Sequence, residues 1–225
     1  MSRKFIAAFA TVAAFAATAA GAEVTIGVSL GSTGPGSSLG IPYKNAFQLL
    51  PKTLGGEPVK YIILDDESKP DNAAKNARKF VTEDKVDAMM GSNGVPSAVA
   101  MIQVAAEYKT PMIALTPVPP LTPDRLHWTF VVPQPTELMM SAVVGHLKAR
   151  GAKTVGYIGF SDTWGDLVYN ALQSLAPSGG FKIVTNERYA RADTSVTGQV
   201  LKIMAANPDV VVVGGSGTGG ALPQI

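Results

Sequence analysis

From residue 24 onward, short β-rich runs alternate with helical stripes, and each run ends in a turn of glycine, serine, threonine or proline. That alternation constrains the fold more than any other feature. Strands separated by helices pair in parallel and need helices on both faces of the sheet. The clearest unit spans residues 86–108. An apolar run, 86–90, leads into Gly91-Ser92-Asn93-Gly94-Val95-Pro96-Ser97, and a helical run, 98–108, leaves it. Pro96 falls in the first turn of that helix, where a missing N–H costs least. Free backbone N–H groups and the positive end of the helix dipole suit an anion there. The small side chains let a ligand approach the backbone. An ordinary capped βα turn uses the same residues, so the weight rests on how many such turns the chain has.

The other units follow in order. Residues 24–30 read as a strand, 31–40 as a turn dense in Gly, Ser and Pro, and 41–50 as a helix. A second strand, 59–64, ends at Asp65-Asp66-Glu67. Lys69-Pro70-Asp71 opens a helix over 72–82 with an apolar stripe of Ala73, Ala74, Ala77, Phe80 and Val81. The strand at 112–115 runs into Thr116-Pro117-Val118-Pro119-Pro120. The run from His127 to Val132 reads as a strand leading to a crossing at Pro133-Gln134-Pro135. Thr136-Glu137 then caps a helix reaching residue 148. A second series comprises strand 154–160, turn 161–165, helix 166–175, strand 181–187, helix 195–206 and strand 210–213. The fold class is therefore α/β: two doubly wound, Rossmann-like lobes, residues 23–135 and 136–225. The units share no fixed period, which excludes a solenoid. A second lobe of about three strands is thin, so the chain reads as the front of a longer protein whose C-terminal part is missing.

Residues 1–22 have a basic start, an Ala/Phe-rich apolar stretch and a small-x-small end, the pattern of a signal peptide cleaved after Ala22. The mature protein is expected to be exported. The chain has no cysteine, so no disulfide framework supports it and a lipid anchor at the cut is excluded. Its 19 Lys+Arg against 17 Asp+Glu give +2, but Arg3 and Lys4 lie in the leader, so the mature balance is zero. That speaks against nucleic-acid binding and an electrostatic membrane mode.

In open parallel sheets, ligands sit beyond the carboxyl ends of the strands. The turns at such ends are 31–40, 65–68, 91–97, 116–120 and, in the second lobe, 161–165 with 214–220. Most are poor in charge, which suits a small polar or zwitterionic ligand held by amide and hydroxyl groups. Enzyme patterns fit badly. Gly36-Ser37-Ser38-Leu39-Gly40 matches a nucleophile elbow but lies several residues past its strand, and the histidines His127 and His146 offer no convincing base. A secreted serine hydrolase remains the lower alternative. Gly31 and Gly36 have P-loop spacing, with Ser37 where lysine is needed. Gly215-Ser216-Gly217-Thr218-Gly219-Gly220 satisfies a dinucleotide pattern without its later acid. No metal site or cofactor is expected. Asp65-Asp66-Glu67 could hold a cation but reads rather as a solvated strand end with a helix-capping role.

Residues 24–30 with Ser32-Thr33-Gly34-Pro35, then Leu64-Asp65-Asp66-Glu67-Ser68, Gly91-Ser92-Asn93, Gly156-Tyr157-Ile158 and Trp164-Gly165 resemble the periplasmic branched-chain amino acid binding proteins of ABC importers, the leucine/isoleucine/valine type. The resemblance covers residues 23–225. Within it, residues 64–68 and 195–203 are similar to members that bind aromatic acids such as benzoylformate. The resemblance implies a type I periplasmic binding fold and no catalysis: the ligand lies between two lobes. It implies that Gly91, Ser92, Asn93 and Gly94, with Thr116, Pro117 and Val118, receive a carboxylate and any ammonium. Leu39 lines an apolar pocket, Trp164 closes on the ligand from the second lobe, and Ser216 stands where leucine binders place a tyrosine. Leu39 also reads as a loop anchor, and Trp164 as a helix-start packing residue. The implied partners are a small carboxylate or amino acid and a permease in the inner membrane, with the protein a monomer. A ligand-sensing receptor domain of the same fold is a further class.

Overall fold

A computed structural model describes residues 23–217 and Ile225. The expected leader and residues 218–220 of the 214–220 turn lie outside the described residues. The first sheet has six strands in the order β2-β3-β1-β4-β5-β6: β1 (Val24–Leu30), β2 (Thr53–Leu54), β3 (Glu57–Asp65), β4 (Ala88–Gly91), β5 (Met112–Ala114) and β6 (Thr129–Val131). All its pairings are parallel except β2 with β3. The second sheet is parallel, ordered β8-β7-β9, from β7 (Thr154–Phe160), β8 (Lys182–Tyr189) and β9 (Val210–Gly214).

The helices are α1 (Ser37–Phe47), α2 (Pro70–Thr82), α3 (Val95–Glu107), α4 (Pro123–Trp128), α5 (Thr136–Ala149), α6 (Thr163–Gly179) and α7 (Thr197–Ala206). They form where the apolar stripes are. Ala73, Ala77 and Phe80 of α2 are buried against Met89, Met101, Ile102 and Met112. A Cβ at Gly27 would lie 2.5 Å from the Phe80 ring, so the missing side chain is what lets α2 seat on β1. A second core gathers Val144 and Leu147 of α5, Val155 and Tyr157 of β7, and Val168 and Leu172 of α6. The Tyr157 hydroxyl donates to the Gly165 carbonyl at 2.8 Å, and burial pushes its pKa up to about 12.

Several local expectations are corrected. Residues 127–128 end a short helix, not a strand. Pro123 starts that helix at a position where its ring is pre-set, Asp124 occupies the first turn, and Arg125 and His127 the last, each matching the dipole. The turn expected at 31–40 is already helical from Gly34: a 3₁₀ turn (Gly34–Gly36) runs into α1. Thr136 does not cap α5. It is the first helical residue and is buried, Pro135 is the N-cap, and no side chain caps that end. The β2–β3 hairpin was not anticipated. Its turn is Gly55-Gly56, with φ of +62° and +93°, the backbone that tight hairpins require.

Candidate functional site

The carboxyl ends of the two sheets' strands meet at a cleft of two adjoining chambers of about 210 and 230 Å³. Joined, they fall within the usual size of small-molecule sites, about 300–1,000 Å³. The first chamber holds most of the polar side chains, although most of its exposed wall is apolar. Ser68, Ser92, Asn93 and Ser97 line it from the first sheet's loops, and Asp162 and Arg191 from the second's. The second is largely apolar, with Leu39, Tyr43, Leu115, Pro117, Met139 and Trp164 in its walls beside Thr116 and Ser216. Leu39, Asn93, Gly94 and Arg191 line both.

The N-terminus of α3 opens into this cleft. Gly94 is its N-cap and no side chain bonds its first-turn amides. Gly94, Pro96 and Ser97 border the polar chamber and Val95 the apolar one. The loop ahead of it is braced from below. Asn93 Oδ1 accepts from the Gly31 N–H at 2.7 Å, and its Nδ2 donates to the Gly36 carbonyl at 3.3 Å. The Ser92 hydroxyl donates to Asp66 Oδ2 at 2.8 Å, and Ser29 donates to the same oxygen at 3.1 Å. Ser92 and Asn93 are thus held by their side chains and offer the cleft mainly backbone.

Asp66 corrects the reading of residues 65–67 as a solvated strand end. It is fully buried. Besides the two hydroxyls it accepts the Ser68 N–H at 2.9 Å. Burial pushes its pKa up, against the pull of the Ser92 and Ser29 hydroxyls and the Ser68 amide. Asp65 behaves oppositely. Its partial burial raises the pKa, but donors from Glu67, Thr33 and Ser32 outweigh that and leave the carboxyl below its ordinary value.

From the second sheet, Asp162 caps α6: its Oδ1 accepts from the N–H groups of Trp164 and Gly165 at 2.9 and 3.2 Å. Its Oδ2 accepts from Arg191 Nε at 2.5 Å. Arg191 Nη1 donates to Ser216 Oγ at 3.3 Å, and the guanidinium lies 4.2 Å from the centre of the Phe160 ring. The Trp164 indole N–H is buried without a hydrogen-bond partner among the described residues.

The structure gathers Leu39, Ser92, Asn93, Gly94, Thr116, Pro117, Trp164 and Ser216 around the cleft. It places Gly91 and Val118 elsewhere. Gly91 ends β4 at φ +136°, where a Cβ would fall 2.2 Å from the Ser29 carbonyl oxygen. Val118 packs on the first sheet's core and borders a separate apolar hollow with Leu121 and Leu126. The expectation of charge-poor turns is corrected by Asp162 and Arg191. Arg191 was overlooked because residues 190–193 follow β8 with no glycine-rich signature, although they too lie past a strand's carboxyl end.

A family model described as "Periplasmic binding protein" matches residues 23–224. A curated amino acid binding protein of Pseudomonas aeruginosa is 30% identical over 207 residues, which cover 86% of this chain and 54% of that protein. The crystal structure of an extracellular ligand-binding receptor from Rhodopseudomonas palustris HaA2 is 51% identical, with a TM-score of 0.87, covering 90% of this chain and 57% of that one. A solute binding protein of an ABC transporter from R. palustris, solved with benzoate, shares the fold at 21% identity and a TM-score of 0.75, over 87% of this chain and 56% of that one. The chain spans about half the length of these relatives.

Proposed function

The chain belongs to the family of periplasmic binding proteins, and from that premise we propose that the whole protein captures a small organic carboxylate and delivers it to the inner-membrane permease of an ABC importer. It acts in the periplasm, after cleavage at Ala22, as a monomer and without catalysis. Residues 23–135 and 136–225 contribute to its two lobes. The ligand's acid group meets the first-turn amides of α3 around Gly94, with Thr116 alongside. Trp164 and Arg191 approach from the second lobe, and the closed form is the one the permease recognises. Such closure is hinge motion selected by the ligand's greater affinity for the closed state.

The observation that carries this reading is the α3 N-terminus: amides uncapped by any side chain, opening into a cleft whose far wall comes from the other sheet. A helix end of that kind is a ready anion site. The ligand is a branched-chain amino acid or related acid, in keeping with the amino acid binding relative. An aromatic acid is the second reading, favoured by Tyr43 and Trp164 in the apolar chamber and by the benzoate held by a protein of this fold. Calorimetry of the full-length protein with leucine, valine, benzoate and benzoylformate tests both. Saturable one-to-one binding of at least one is expected, and heat from none would count against capture of small acids.

A further inference from the structure

Arg191 has a position no other charged residue of the cleft shares: it borders both the polar and the apolar chamber. It is also held in place. Asp162 fixes Nε, Ser216 accepts from Nη1, and the Phe160 ring supports the guanidinium face. Only 19% of its side chain is exposed. Its counter-ion Asp162 borders the polar chamber but not the apolar one. Asp162 already accepts two amides at the N-terminus of α6, so its negative charge is shared between that helix end and the guanidinium. The α3 N-terminus adds a further partial positive charge from the opposite wall. In the apolar chamber the guanidinium is thus the charged group among the described lining residues.

We infer that Arg191 sets the ligand class of the cleft: it takes the acid group of a net-anionic carboxylate whose apolar body lies against Leu39, Met139 and Trp164. This rests on the solute-capture reading above. Asp162 takes Nε and Ser216 one Nη1 hydrogen, so the Nη1–Nη2 end of the planar fork is the edge that can meet a carboxylate. An α-ammonium carried beside that carboxylate would face a like charge in a partly desolvated cleft, which costs affinity. The protein therefore prefers the acid without the amino group.

Two matched pairs test this by calorimetry on the full-length protein: 4-methylpentanoate against leucine, and 3-phenylpropanoate against phenylalanine. In at least one pair the desamino acid is expected to bind about ten-fold or more tightly than its amino acid. Arg191→Gln should weaken that acid by about ten- to a hundred-fold, the scale of one charge-assisted hydrogen bond, and change the amino acid less. Arg191→Lys keeps the charge beside Asp162 and should keep the preference at lower affinity, which separates loss of the fork from loss of fold. Amino acids binding more tightly than their desamino partners, or acid affinity unchanged in Arg191→Gln, overturns the inference and leaves solute capture standing. Absence of binding by all four overturns the inference; absence of binding by valine, benzoate and benzoylformate as well overturns solute capture too.

Discussion

Asp66 shows how much of the cleft is decided by a residue that never touches it. Its carboxylate collects the Ser29 and Ser92 hydroxyls and the Ser68 amide, and so ties the ends of β1, β3 and β4 together beneath the polar chamber. Removing the acceptor in Asp66→Ala strands two buried hydroxyls and a half-buried amide, and a buried donor left unsatisfied costs about 1–3 kcal/mol. A loss of roughly 3 kcal/mol or more is expected in urea unfolding. Asp66→Asn keeps one acceptor oxygen, and the two hydroxyls can reverse to accept from its amide, so most of that stability should survive. The pH dependence then has a definite sign. Burial raises the folded-state pKa of Asp66 above its ordinary 3.8. Protons are therefore held more tightly in the folded state, and the group's contribution is full below the unfolded pKa and is lost as pH rises through the raised folded value. Wild type should lose stability relative to Asp66→Asn across that window as pH increases. A wild-type advantage over Asp66→Asn that grows with pH would refute the assignment. None of this was legible in Asp65-Asp66-Glu67, which reads as a solvated strand end. Burial comes from Ser29 and Ser92, separated from Asp66 by 37 and 26 positions in the chain.

At the scale of elements, the strands and helices with strong periodicity could be read directly. β7 runs over the residues expected, and the Pro70 and Pro96 turns both open helices. The failures have local causes. The strand expected over 127–132 rests on aromatic and β-branched residues, which favour strands only weakly. Pro123 and the charges around it win over 123–128, leaving Thr129–Val131 to pair with β5. The two-residue β2 is too short for any periodicity to mark it. The start of α6 carries a prediction of its own, because Asp162 does two separable jobs there. Asp162→Ala removes both the helix cap and the partner of Arg191, and should cost more than the 0.5–2 kcal/mol or so of a cap alone. Asp162→Asn keeps an oxygen for the Trp164 and Gly165 amides and discards the ion pair. Its thermal midpoint should fall between wild type and alanine. Equal midpoints for the two variants would mean that the cap contributes nothing measurable.

For the whole molecule, what matters is that two sheets of different size present their strand ends to one cleft, each lending a helix N-terminus: α3 from the first and α6 from the second. The alternation of strands and helices made the two-sheet plan readable, and the rule that ligands gather past strand ends pointed to most of the cleft lining. The charges in it were not readable, because Arg191 and Asp162 meet only when the ends of β7 and β8 come together. The proposed closure can be followed from one wall. The sequence has 2 tryptophans. Trp164 borders the apolar chamber, whereas Trp128 stacks edge-on with His127 in α4 and lines neither chamber. The difference in emission between the full-length protein and its Trp164→Phe variant isolates the signal of Trp164. When a ligand fills the chamber, the indole exchanges water for an apolar neighbour, and its buried N–H gains an environment in which an acceptor can reach it. Emission from Trp164 should therefore change in intensity and shift to shorter wavelength, saturating at the affinity that calorimetry gives for the same ligand. A calorimetrically verified ligand that leaves this emission unchanged would place the bound molecule away from Trp164, and the second wall would then have no part in holding it.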